Sequence, residues 1–166
     1  MIKDSKSAES LAKILSEALP YIQKFSGKTV VIKYGGSAMK ENKLRQNFAR
    51  DIALMRQIGI FPVLVHGGGP QIERNLKKNN IKSVFIDGLR KTDENSIKTI
   101  VKTLREVNGD IAELIKTWGA RTKTFNDVRE SILICKKIKT KMDLGFVGDI
   151  INCLLYTSPS PRDREK

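Results

Sequence analysis

The sequence predicts an α/β fold built around a largely parallel sheet with a β-hairpin added to it. Three observations carry that prediction. Short apolar, β-branched runs alternate with longer stretches of helical periodicity, in the order β, α, β, α, β, α. The first two apolar runs each end in consecutive glycines. After Ala120 two further short runs follow with no helical stretch between them.

The elements follow in order. Ala8, Leu11, Ala12, Leu15, Ala18 and Leu19 recur at helical spacing over residues 7–19. Pro20 should kink or end this helix. Tyr21, Ile22 and Phe25 extend its apolar surface to Gly27. Such a helix packs on its own domain or reaches a neighbouring subunit. Thr29 to Tyr34 is a strand with three β-branched residues in a row, an apolar run suited to cover on both faces. Asn42 to Ile58 is a helix with Leu44, Phe48, Ile52 and Met55 on one face, stopped by Gly59. Ile60 to Val65 is the second strand, with Pro62 near its start where a missing N–H costs least. Gly67, Gly68 and Gly69 turn the chain, and Pro70 opens a helix carrying Ile72 and Leu76. Val84 to Ile86 is a short third strand, ended by Asp87-Gly88. Thr92 or Asp93 caps a long helix with Ile97, Val101, Leu104, Val107, Ile111, Leu114 and Trp118 on its apolar face. Ser131 to Lys137 and Phe146 to Ile151 form the hairpin, which is expected to join the sheet. The last residues contain Ser158-Pro159-Ser160-Pro161, which fits neither helix nor core strand, so a disordered tail is expected.

Composition narrows the function classes. With 166 residues, 40% hydrophobic and 30% charged, the chain is a globular protein of one-domain length. No secretory leader or membrane-spanning stretch is visible, and a cytoplasmic location is expected. Cys135 and Cys153 lack metal or redox spacing. The net charge of +13 suits either nucleic acid or small anions. Aromatic residues make up only 6% and do not alternate with the basic ones, so a base-stacking surface is not evident.

The chemistry concentrates in three loops. In HGGGPQI, three glycines stand between a strand and a helix. A turn at positive φ would explain one of them. Close approach of a ligand to the backbone, with an anion at the helix N-terminus, explains three. Lys33 ends its strand just before Gly35 and Gly36. It is either a snorkelling lysine or a fixed positive charge beside the glycine turn. The pattern is neither a P-loop nor a dinucleotide fingerprint. In DGLRKTD, Arg90 either pairs with Asp87 or Asp93 on the surface or clamps a carboxylate. His66 is the only histidine, with no nucleophile–acid arrangement or metal-ligand cluster around it.

KTVVIKYGGSAM, VLVHGGGPQI and FIDGLRKTD, in this order, resemble the acetylglutamate kinases of the amino acid kinase family. The resemblance implies an αβα sandwich with an acyl-amino-acid lobe followed by a nucleotide lobe. It implies transfer of the γ-phosphoryl of ATP, with Mg2+ accompanying the nucleotide, to the side-chain carboxylate of N-acetyl-L-glutamate, a step of arginine biosynthesis. Carried over, Lys33 resembles the catalytic lysine that stabilises the phosphoryl group in flight. Gly35 and Gly36 match the phosphate-facing loop. Gly68 and Gly69 match the glycines that hold acetylglutamate, and Arg90 the arginine on its α-carboxylate. SEALPYIQKFSGK resembles the extra N-terminal helix of arginine-inhibited members. That implies a homo-oligomer, a dimer or a hexamer through this helix, with arginine as feedback inhibitor, and neither nucleic acid nor membrane as partner.

ARTKTFNDVRE, residues 120–130, departs from the family's glycine-containing loop, and LGFVGDI resembles the family again. Nothing in the chain corresponds to the nucleotide lobe, and the tail from Cys153 resembles translated adapter or out-of-frame sequence. The expected organisation is a kinked helical extension over 1–27, an acyl-amino-acid lobe with hairpin over 28–152, and a non-native tail over 153–166, together an inactive fragment. The alternatives are another amino acid kinase, acting on glutamate, aspartate or carbamate, and a basic nucleic-acid-binding module.

Overall fold

The computed structural model describes residues 5–39, 41–125 and 133–153. The expected tail beyond Cys153, the start of the hairpin at residues 131–132 and much of the divergent 120–130 stretch lie outside these residues. The elements are α1 (Ser5–Phe25), β1 (Thr29–Tyr34), a 3-10 turn (Gly36–Met39), α2 (Asn42–Gln57), β2 (Phe61–His66), α3 (Gly69–Lys78), β3 (Val84–Ile86), β4 (Leu89–Lys91), α4 (Glu94–Thr117), β5 (Leu133–Lys137) and β6 (Gly148–Cys153). Among the described residues these elements make one parallel sheet and two small antiparallel ones, an α/β arrangement. It divides into two compact units: residues 1–67 with 113–122, and residues 68–112 with 123–166.

In the first unit, α1 continues through Pro20 to Phe25, so the proline does not end the helix. Proline removes one backbone donor, and Ser16, whose carbonyl loses that donor, is solvent-exposed. The apolar residues of α1 stay exposed, Ile14 at 61% and Leu15 at 59%. At the helix end, Gly27 N–H donates to the Gly59 carbonyl and Phe61 N–H to the Lys28 carbonyl. These two bonds start β1 and β2 side by side and set the parallel register Thr29↔Phe61 to Tyr34↔His66. Pro62 sits opposite Val30 near the strand start, as expected.

The register puts Val30, Ile32 and Tyr34 on one face with Pro62, Leu64 and His66. That face is half-buried to buried. The other face carries Val31, Lys33, Phe61 and Val65, and it is open, with Val31 60% exposed. The expectation of cover on both faces is therefore corrected for these residues: composition reports apolarity, and only packing reports what lies against it. Ala49, Ile52 and Ala53 are the buried positions of α2. Phe48 stacks on Tyr34 at a centroid distance of 3.8 Å.

In the second unit, α3 buries Ile72 and Leu76. The third strand does not extend the parallel sheet. β3 pairs antiparallel with β4 in the register Val84↔Lys91 to Ile86↔Leu89. Asp87 and Gly88 both have positive φ, 49° and 79°, which makes them the two-residue turn of a hairpin. β5 and β6 form the expected antiparallel hairpin, but as a separate two-stranded sheet. α4 starts where Asp93 Oδ1 accepts the Ser96 N–H at 2.7 Å. Its buried positions include Ser96, Thr103 and Val107, while Val101 is exposed. The buried stripe is thus rotated from the expected apolar one. Thr103 is accommodated because its hydroxyl donates to the Thr99 carbonyl and accepts from Asn75 Nδ2.

Candidate functional site

The six residues singled out from the sequence fall in both units: Lys33, Gly35 and Gly36 in the first, Gly68, Gly69 and Arg90 in the second.

Lys33 is the penultimate residue of β1, opposite Val65, and its side chain lies on the open face of the sheet. No ion pair to it occurs among the described residues. The loop that follows is fastened rather than free. The Tyr34 hydroxyl donates to the Ala38 carbonyl at 3.0 Å, across the 3-10 turn that contains Gly36. The Gly67 N–H donates to the Tyr34 carbonyl at 2.9 Å, which places the start of the second glycine run beside the end of β1. Burial pushes the Tyr34 hydroxyl up from its ordinary value of 10.0, with Arg45 opposing. It therefore remains a neutral donor at physiological pH. Tyr34 has no obvious signal in the sequence, since an aromatic at a strand end is ordinary core.

Gly68 is the N-cap of α3 and Pro70 lies in its first turn. None of Gly35, Gly67, Gly68 and Gly69 has positive φ, so a left-handed turn is not the reason for the glycines. A Cβ on Gly68 would meet Leu104 Cδ2 at 2.7 Å, so a side chain here would displace the end of the Leu104 side chain on α4. At Gly35, Gly67 and Gly69 a Cβ would meet nothing within 4 Å. The Ile72 N–H is satisfied by the Gly68 carbonyl, and the N–H groups of Gly69 and Gln71 precede the first helical donor.

Arg90 is the middle residue of β4. It pairs with neither Asp87 nor Asp93. Nη1 donates to Glu73 Oε2 at 3.0 Å and to Ser83 Oγ, and the guanidinium carbon lies 4.5 Å from the Phe85 ring centroid. The side chain is only 15% exposed. Glu73 lies one turn along α3 from Gly69. The Arg90 hydrogen bond, and secondarily that of Ser83, holds its carboxyl below the ordinary value. Arg90 is thereby tied to the helix that begins at the glycine turn. Glu73 was not visible as a partner from the sequence, because residues 17 positions apart meet only through tertiary structure.

The strand that carries Arg90 is anchored downstream. Thr92 N–H donates to the Leu144 carbonyl and Phe146 N–H to the Thr92 carbonyl, at 2.8 and 2.7 Å. Gly145 sits between them at φ 75°, where a Cβ would come within 2.9 Å of the Thr92 carbonyl carbon. Asp143 Oδ1 accepts the Gly145 N–H at 2.8 Å. LGFVGDI therefore braces the arginine strand.

No group of three or more His, Cys, Asp or Glu suited to a metal occurs among the described residues. No described helix is long and apolar enough to cross a membrane. Two surface depressions, one of about 480 Å³ along Ile97, Val101 and Arg105 and one of about 320 Å³ at Arg56, Gly119 and Arg121, are lined by none of the six residues.

The sequence profile of the Amino acid kinase family matches residues 28–158. The chain belongs to the amino acid kinase family. Among curated members of that family, the chain is 47% identical over 141 residues to acetylglutamate kinase of Clostridium kluyveri, covering 84% of this chain and 50% of that one. It is 46% identical to acetylglutamate kinase of Ralstonia nicotianae, covering 84% and 48%. The chain spans about half the length of the curated relatives it matches. A solved protein of Streptococcus mutans UA159 shares the fold, with a TM-score of 0.67 and 24% identity over 78% of this chain and 52% of that one.

Proposed function

We propose that this amino acid kinase chain is the acyl-amino-acid half of an acetylglutamate kinase. The whole protein would phosphorylate the side-chain carboxylate of N-acetyl-L-glutamate with ATP, in arginine biosynthesis in the cytoplasm. The observation that carries the reading is the 47% identity to a curated acetylglutamate kinase over 141 residues. The finer architecture belongs to the same reading: an αβα sandwich whose nucleotide lobe lies in the half of the relatives' length not represented here. A chain without that lobe is expected to be inactive.

The glycines support a ligand-facing role for their loops. Gly35, Gly67 and Gly69 need neither positive φ nor room for a neighbouring atom. Close approach of a ligand to the backbone is a physical reason to omit a side chain there. In this reading Gly35 and Gly36 face the phosphates, Gly68 and Gly69 hold acetylglutamate, and Arg90 takes the α-carboxylate. Lys33 neutralises charge on the phosphoryl group in flight. Phosphoryl transfer asks for positioning and charge neutralisation rather than covalent help from the protein. The substrate carboxylate is the nucleophile, so the reaction requires no general base. Mg2+ would arrive with the nucleotide phosphates. The exposed apolar residues of α1 support a homo-oligomer, a dimer or a hexamer, and the likeness of this helix to that of arginine-inhibited members supports arginine as the feedback inhibitor.

The test is a kinase assay on the full-length protein with ATP and N-acetylglutamate, glutamate, aspartate or carbamate as acceptor. Turnover of N-acetylglutamate alone supports the reading. Preference for another acceptor assigns a different amino acid kinase. No turnover, with tight and steeply salt-dependent nucleic-acid binding, would favour a basic binding module.

A further inference from the structure

Arg90 is held by more groups than a surface arginine needs. Each terminal guanidinium nitrogen carries two hydrogens. Both hydrogens of Nη1 are committed, one to Glu73 Oε2 and one to Ser83 Oγ. The Phe85 ring covers one face of the plane at 4.5 Å. What these contacts leave is the edge formed by Nε–H and Nη2. That edge presents two parallel N–H groups and matches the two oxygens of a carboxylate. An arginine fixed in this way loses little side-chain freedom when the ligand arrives.

We propose that Glu73 is a positioning residue for substrate binding: it holds Nη1 of Arg90, with Ser83 and Phe85 beside it, so that the Nε–Nη2 edge receives the α-carboxylate of the acyl-amino acid. The inference rests on the reading of Arg90 as the carboxylate-binding arginine. Glu73 is suited to the task in two ways. It stands on α3, one turn from Gly69, so it ties the arginine to the glycine turn of the same unit. The Arg90 hydrogen bond lowers its pKa and keeps it a carboxylate throughout the neutral range. The opposite role is equally concrete: an internal carboxylate on the same guanidinium could compete with the substrate. The two differ in sign.

Steady-state kinetics on the full-length protein decide between them, with Glu73→Gln, Glu73→Ala and Arg90→Gln compared with wild type. Positioning requires that Glu73→Gln and Glu73→Ala raise KM for N-acetylglutamate roughly five- to twentyfold, with kcat and the KM for ATP within about twofold. The Tm should stay within a few degrees of wild type. Glu73 is exposed, so these variants are expected to fold, and circular dichroism checks it. As a second readout on the 166-residue chain, the Arg90 Nε–H resonance should be sharp in wild type and broaden in Glu73→Ala. An unchanged or lowered KM in the Glu73 variants overturns the inference, the lowered value by revealing a competitor. If Arg90→Gln itself leaves KM unchanged, the substrate reading of Arg90 has failed, whatever Glu73 does.

Discussion

The guanidinium of Arg90 and the ammonium of Lys33 occupy different surroundings, and the difference predicts different kinetics. Arg90 is largely sheltered and bonded to Glu73 and Ser83, whereas Lys33 projects from the open face of β1 with no ion pair among the described residues. A ground-state contact and a transition-state contact lose different quantities when removed. In the full-length protein, Arg90→Ala should raise KM for N-acetylglutamate roughly 10- to 100-fold with a smaller effect on kcat. Lys33→Ala should lower kcat roughly 100- to 1,000-fold with a smaller effect on KM. The reverse pattern, read from initial rates, contradicts the assigned roles. The acidic partners make a separate prediction. Glu73, Asp93 and Asp143 all have carboxyls held below their ordinary values, by Arg90, by the Ser96 N–H and hydroxyl, and by Lys137 respectively. A depressed folded-state pKa contributes stability that is present above the unfolded value and is lost as pH falls through the folded one. The ordinary values are 4.5 for Glu73 and 3.8 for Asp93 and Asp143. Thermal unfolding should therefore be insensitive to these groups above about pH 5 and fall steadily below about pH 4. Asp93→Asn should flatten that slope, and an unaltered acid limb would show that the α4 cap does not contribute.

The hairpins are where local chemistry and tertiary structure divide the explanation. Asp87-Gly88 is a two-residue turn, and Asp-Gly between short apolar runs is a strong hairpin signal. The β–α rhythm predicts one more parallel strand at Val84 to Ile86, and the Asp-Gly turn overrides it by folding β3 back on β4. The helices were legible for a different reason. α2 and α4 lie where periodicity and caps put them, and α3 opens at the glycine turn beside Pro70, because periodicity and caps are local properties. The rotation of the buried stripe on α4 was not legible. Thr103 is buried by virtue of Asn75, 28 residues away. The bracing of Thr92 by Gly145 is likewise non-local and gives the sharpest prediction at this scale. Gly145→Ala forces a left-handed residue to carry a Cβ and drives it into the Thr92 carbonyl group. Backbone strain alone costs about 1–3 kcal/mol, and the clash adds to it. The Tm should drop by several degrees, and amide exchange at Thr92 and Phe146 should accelerate. A silent Gly145→Ala would mean that the 144–146 segment does not brace β4.

At the scale of the whole molecule, exposed apolar surface and net charge oppose each other. The +13 charge disfavours self-association by repulsion. The apolar residues of α1 and the open face of β1–β2 favour it. Light scattering at raised ionic strength should reveal association of the 166-residue chain, because salt screens the repulsion and leaves apolar burial intact. Ile14→Lys with Leu15→Lys on α1 should reduce the associated species. Association unchanged by that double substitution would place the contact surface elsewhere, with the β1–β2 face next to be tested.

By itself, the sequence determined the helices, the first two strands, the glycine turns and the family, because periodicity, capping and motif spacing are written within a few residues of one another. VIKYGGSAM, HGGGPQI and GLRKTD point to one chemistry from residue type and order alone. Only the tertiary structure decided that β3 folds back on β4, that one face of β1–β2 stays open, and that Arg90 rests on Glu73, Ser83 and Phe85. Each of these depends on groups far apart in the chain. Residue type sets what a side chain can bond to, and three-dimensional packing selects which partner it meets.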